Sequence, residues 1–220
     1  MEKKLFKDKE KYIIYGNNVT FIFTTSEIEN KELFSNYNSS SVILGETEQY
    51  LKQLYSLYDE LPIPILKKEI ISNHSDEIEL IYELYNPMNL EQKIDLNLSS
   101  ENYIEIRKPK TFKKYKMDLI LETKKLGYNI FDLNDSFYND ICSIFSYNNS
   151  DFSLSERKNL IDLSDEILCL HGCNYTGYDI VTFRIICLCK IGSNINDTDK
   201  SNTKNNDVNE ENNHLVTLLK

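Results

Sequence analysis

The sequence predicts a mainly β chain of the α+β class: an antiparallel β domain carrying one helix, followed by a small disulfide-stapled β-rich domain. Three observations predict it. Apolar and polar residues alternate at period two through most of the first half, the pattern of strands with one wet face. One stretch within that half changes to helical spacing. All five cysteines fall between Cys142 and Cys189, after more than half the chain has passed without one.

The first domain is expected over residues 12–110. In "NVTFIFTT" the apolar face is Val19, Phe21 and Phe23. In "DEIELIYELYNP" it is Ile78, Leu80, Tyr82 and Leu84, set against Glu77, Glu79 and Glu83. "KIDLNLSS" aligns Ile94, Leu96 and Leu98, and "NYIEIRKP" aligns Ile104 and Ile106; Asn86-Pro87 and Lys108-Pro109 are strand stops. In "GETEQYLKQLYSLYDELP", Leu51, Leu54, Tyr55 and Tyr58 recur at helical spacing. A core-facing helix is expected over about 46–60, capped by Thr47 and ended by Leu61-Pro62.

The second domain is expected over 115–191. It opens with a strand in "KMDLILET", passes through polar, turn-rich sequence, and closes with "YDIVTFRIICLCK", where Cys187 and Cys189 share a strand face. Residues 192–213 have almost nothing apolar to bury and read as a disordered tail or linker. The apolar patch "HLVTLLK" ends the chain.

With 220 residues and 40% hydrophobic content, the chain can bury a sizeable core as one large domain or two small ones. Its net charge of -10 argues against a nucleic-acid partner, since phosphate affinity needs clustered Lys and Arg. No apolar run is long enough to span a bilayer, and the basic start lacks the apolar stretch of a signal peptide.

The cysteines follow the spacing lone Cys, C-x3-C, C-x-C, and three readings compete. They form disulfides that staple a thin core. Alternatively Cys169, His171, Cys173 and the Cys187/Cys189 pair bind zinc, although C-x-C is an uncommon ligand spacing. Or they are buried free thiols, which suits the Asn-, Ser- and Asp-rich composition of this region poorly. The disulfide reading is favoured, and the odd count leaves one cysteine free or paired outside the segment. N-x-S/T acceptors at Asn18, Asn38, Asn73, Asn97, Asn134, Asn148, Asn174 and Asn196 point the same way, although chance supplies several in a chain this rich in Asn and Ser.

Other constellations carry less. "DLNDSFYND" offers Asp132, Asn134, Asp135 and Asp140 to a calcium ion but lacks the central Gly and closing Glu of an EF-hand loop. His74, His171 and His214 form no nucleophile–base pattern, and neither a G-x-S-x-G, a P-loop nor a dinucleotide fingerprint occurs. No catalytic residue and no cofactor is therefore expected. The basic run "RKPKTFKKYK", with Phe112 and Tyr115 interleaved, reads as a solvated linker or a surface for an acidic partner.

The segments "FYNDIC" (Phe137–Cys142), "SLSERKN" (Ser153–Asn159), "CLHGCNYTGYD" (Cys169–Asp179) and "CLCK" (Cys187–Lys190) resemble a cysteine-rich extracellular module found in protist surface proteins. Upstream, "LGETE" and "IYELYNP" resemble that module's "LGECE" helix start and "EYEVYNP" strand, so the likeness spans about 19–191. Two cysteines of the module are missing: Thr47 replaces one, and none stands near Ser100; loss of both is loss of one bridge. Its "GTD" has become "NNSDF". The resemblance implies a non-catalytic structural or adhesive role at a cell surface, reached through the secretory pathway, with other modules of the parent chain or other surface proteins as partners. The start and end then read as those of a fragment. The alternative is a cytosolic zinc-binding protein–protein interaction domain. Cys187 and Cys189 share a face and cannot readily bridge each other. They are expected to reach Cys169 and Cys173, in either order, leaving Cys142 as the odd thiol. Residues 12–110, without cysteine, are expected to keep their fold in reductant.

Overall fold

The computed structural model describes residues 3–31, 39–71, 78–96, 102–132, 134–160, 169 and 172–191. The expected tail at 192–213 and the segment "HLVTLLK" lie outside the described residues.

Antiparallel sheets dominate, with a few short helices, as the α+β expectation requires. After a π-helical segment, Lys3–Asp8, the chain forms β1 (Tyr12–Tyr15), β2 (Val19–Thr25), α1 (Ser26–Lys31), β3 (Ser41–Ile43) and α2 (Glu46–Leu54). There follow β4 (Pro64–Ile71), β5 (Ile78–Asn86), β6 (Asn89–Ile94) and β7 (Tyr103–Pro109). Then come α3 (Lys114–Lys125), α4 (Ser136–Asn139), β8 (Phe145–Tyr147), β9 (Ser150–Phe152), α5 (Leu154–Leu160), β10 (Cys173–Asp179) and β11 (Arg184–Lys190). One sheet has the order β1-β2-β4-β5-β6, the other β10-β11-β7-β3, and β8-β9 is a separate hairpin.

The expected division near 110–115 falls inside the second sheet. β11 pairs with β7 through seven residue pairs, from Arg184↔Pro109 to Lys190↔Tyr103. The inner faces of both sheets then share one core: Ile65, Leu80, Leu84 and Ile94 from the first, Val42, Ile104, Ile106, Ile185, Cys187 and Cys189 from the second. What is separate is the segment between β7 and β10. Its own aromatic cluster packs Phe137 against Phe145 (centroids 5.0 Å) and Tyr138 (5.0 Å), with Phe112, Leu119, Ile120 and Ile130.

Several elements depart from the sequence pattern. "KMDLILET" lies in α3 rather than a strand, because Leu119, Ile120 and Thr123 are buried together at helical spacing. The Thr123 hydroxyl is satisfied within the helix, donating to the Leu119 and Ile120 carbonyls at 2.9 Å. α2 ends at Leu54, since Ser56 has φ 53°; Leu51 is in the core as expected, but Leu54 and Tyr58 are exposed and Leu57 is buried in their place. Thr47 caps nothing. Gly45 occupies that position at φ 54°, and the buried Thr47 hydroxyl donates to the Tyr103 carbonyl at 2.7 Å, tying α2 to β7. The closing apolar stretch is a hairpin arm rather than one long strand, because residues 180–183 turn between β10 and β11.

A buried polar hub joins the sheets. Lys67, on the inner face of β4 and 2% exposed, donates to Glu29 Oε1 (2.7 Å) and to the Ser40 carbonyl (2.6 Å). The other Glu29 oxygen accepts from the Val42 N–H at 2.9 Å, and Glu69 accepts from the Ser40 N–H. One ammonium and two carboxylates thus fix the start of β3 between α1 and β4. Removing one partner of a fully buried pair leaves the other charge uncompensated, at a cost of about 3–5 kcal/mol. Lys67→Met should cost about that much in urea denaturation. Lys67→Met combined with Glu29→Gln, which keeps an acceptor for Val42, should cost less than the single change. A larger loss in the double variant would remove Lys67 from the centre of the hub.

Candidate functional site

β10 and β11 form the hairpin that carries the cysteines. Its turn is built by Asp179, whose carboxylate accepts from the Val181 N–H (2.9 Å) and the Thr182 hydroxyl (2.7 Å). Partial burial works to raise that carboxyl, but those hydrogen bonds and Arg107 at 3.7 Å hold it below its ordinary range. Phe183 closes the turn at φ 53°. A bulge between Tyr175 and Gly177 then shifts the register so that Cys173, Tyr175 and Tyr178 all lie on the face of Cys187 and Cys189.

Cys173 lies directly opposite Cys189 and is bonded to it, with Cα atoms 4.1 Å apart. Cys169 is bonded to Cys187 across a Cα distance of 5.7 Å. Both bridges point into the main core. Cys187 stands in one cross-strand row with Tyr175, Ile106 and Val42, and Cys189 stands beside Ile104. With Cys187 0% and Cys189 1% exposed, their sulfurs are packing atoms as well as cross-links. Bonded sulfurs are not thiolates, so in this state none of the four is a metal ligand. Among the described residues no three His, Cys, Asp or Glu side chains converge as a metal site. His74, His171 and His214 lie outside the described residues.

Cys142 is free and exposed, between Ile141 and Ile144, each 80% exposed. Its N–H donates to Asp140 Oδ1 at 2.8 Å, and Ser143 donates to the other oxygen at 3.0 Å; these bonds hold the Asp140 carboxyl below its ordinary range. The other carboxylates considered for calcium are likewise turned to neighbouring donors. Asp132 accepts from the Asn134 N–H, and Asp135 caps α4 at the Phe137 N–H while accepting from the Asn129 N–H. Of the glycosylation acceptors, Asn18, Asn134, Asn148 and Asn174 are exposed; Asn148 and Asn149, at φ 50° and 61°, form the two-residue turn between β8 and β9. Asn38, Asn73, Asn97 and Asn196 lie outside the described residues.

Two arginines were not singled out by spacing. Arg157, in "SLSERKN", is 1% exposed and donates to the Asp140 carbonyl at 2.8 Å, with its guanidinium 5.9 Å from the Phe137 ring centroid. It joins α5 to the "FYNDIC" segment. Arg184, equally buried, donates to Ser41 Oγ at 3.0 Å and links β11 to β3 across β7. Arg157 lies in a polar stretch that carries no mark of burial, whereas Arg184 lies within the apolar run of β11, which was a signal that it could be buried.

Comparison with known proteins gives no relative: no family model matches the chain, and no similar curated protein or solved structure was found. Fold and site define a class only, an antiparallel α+β domain with two core disulfides.

Each bridge closes a short loop, with sequence separations of 18 and 16, and each should contribute about 3 kcal/mol. Because the sulfurs sit against β7 and β3, reduction should raise amide exchange in β7 together with β10 and β11. This replaces the expectation that 12–110 is indifferent to reductant. Exchange that rises in β10 and β11 while β7 stays protected would contradict it.

Proposed function

We propose that the chain is a non-catalytic structural or adhesive module of the cell surface or extracellular space, part of a larger surface protein that passes through the secretory pathway. The observation that carries this reading is the pair of core disulfides, because such bonds persist in oxidising compartments and are rare where thiols are kept reduced. Four exposed glycosylation acceptors support it. So does the physical joining, by Arg157, of two of the segments that carry the resemblance to protist surface modules. Thr47, standing where that module has a cysteine, makes a hydrogen bond to the start of β7, not far in sequence from Ser100. Cys142 is the odd thiol, read as the link to a cysteine outside the segment. Its partners are other modules of the parent chain or other surface proteins, not nucleic acid. Among the described residues no helix is long and apolar enough to cross a membrane.

In its native cell the protein should carry glycan on at least one of Asn18, Asn134, Asn148 or Asn174, read as a mass shift on enzymatic deglycosylation. Alkylation without reductant should label Cys142 at most. A cytosolic, unglycosylated protein with all five cysteines alkylated overturns the reading, and one zinc per chain in that protein would establish the cytosolic alternative.

A further inference from the structure

The basic run Arg107–Lys116 holds six Lys or Arg and no acid within ten residues, in a chain whose net charge is -10. The fold fixes this run rather than leaving it as a linker. The Lys110 N–H donates to the Phe183 carbonyl (2.9 Å), and the Lys110 carbonyl accepts from the Tyr178 hydroxyl (3.0 Å). Phe112 is buried edge-on against Tyr178, centroids 5.1 Å apart. The chain leaves this anchor directly into α3, with Lys113, Lys114 and Tyr115 exposed. Arg107 is engaged by Glu105 at 2.6 Å and by Asp179, whereas Lys110, Lys113 and Lys114 have no ion-pair partner among the described residues. The first turn of α3 contains no acidic residue, so its lysines crowd the positive end of the helix dipole. An anion bound at Lys110, Lys113 and Lys114 would relieve that repulsion.

We propose that Lys110, Lys113 and Lys114, with the exposed ring of Tyr115, form a docking surface for a sulfated polysaccharide. The proposal deepens the adhesive reading above and rests on it for its biological setting. A linear polyanion can lie along one basic patch while avoiding the acidic remainder of the surface, and its sugar rings offer a face to Tyr115. An anionic bilayer is a broad surface that would also confront the remaining negative charge. The nearby turn exposes only Val181 and Phe183 as apolar groups to insert.

The test uses the purified, disulfide-bonded 220-residue chain and immobilised heparin as the sulfated probe. Binding should weaken as NaCl is raised and should fall on the order of tenfold or more in Lys113→Glu/Lys114→Glu. Lys113→Arg/Lys114→Arg should retain it, as should Lys124→Glu/Lys125→Glu at the other end of the same helix; the Arg variant also separates loss of charge from loss of fold. Desulfated heparin, which keeps its carboxylates, should bind far less. Failure to bind heparin, equal loss in both Glu variants, or capture by phosphatidylserine vesicles in place of heparin would each overturn the proposal. Because binding is read on purified protein, it stands or falls separately from where the native protein resides.

Discussion

Pairing of β11 with β7 determines where the cysteines lie. Seven opposed residues fix the register, and a strand has only two faces, so Cys187 and Cys189 must point the same way as Ile104 and Ile106. That face is the interior. A slip of one residue would expose both sulfurs and bury Leu188 and Lys190 instead. The bulge in β10 performs the complementary adjustment, keeping Cys173 opposite Cys189 while bringing Tyr178 back to the inner face. Tyr178 then touches both hydrophobic clusters, packing on Phe112 and on Phe131 at 4.9 Å. Its phenol is pushed upward in pKa by burial and by Asp179, so it remains a hydroxyl donor to Lys110.

The Lys67 hub serves a related purpose at the other edge of the same sheet. β3 is only three residues long, too short to hold its place through ladder bonds alone. The Val42 and Ser40 N–H groups donate to the Glu29 and Glu69 carboxylates, and Lys67 donates to the Ser40 carbonyl; these charge-assisted bonds hold β3 in place beside β7. A buried ion pair adds little net stability over a well-packed apolar replacement, but it tolerates very few alternative arrangements. Arg184 adds a side-chain bond to Ser41 from β11, so β3 is held through its backbone by the hub and through a side chain by Arg184.

Alternation was enough to place β2, β5 and β7, because each presents a run of apolar residues to one face for several consecutive pairs. β2 still differs in detail. Phe21 and Phe23, expected on the core side, lie on the outer face under Ile28 and Phe6, whereas Ile22 and Thr24 stand opposite Lys67 and Ile65 on the inner face, so both faces are buried. α3 was misread because Leu119, Ile120 and Leu121 form a short apolar run that suits helix and strand equally. The domain boundary was misplaced for another reason. Local pattern cannot reveal that β7 and β11, far apart in the chain, are neighbours. The hub was invisible because Glu29, Lys67 and Glu69 sit in sequence contexts indistinguishable from a solvated face. The cysteine spacing spoke to the site, though not to its depth: the same C-x-C strand would fit a surface staple as well as a core one.

The cysteine hairpin completes the sheet and core of the preceding strands, so β1 to β11 should fold as one unit. Residues 1–111 expressed alone test it most directly. Without β11, β7 loses seven pairings, and Val42, Ile104 and Ile106 lose the cover of Ile185, Cys187 and Cys189. This fragment should give a proton–nitrogen correlation spectrum with collapsed amide dispersion and no cooperative urea transition. A well-dispersed spectrum with a cooperative transition would show that the N-terminal half folds unaided, and would contradict it.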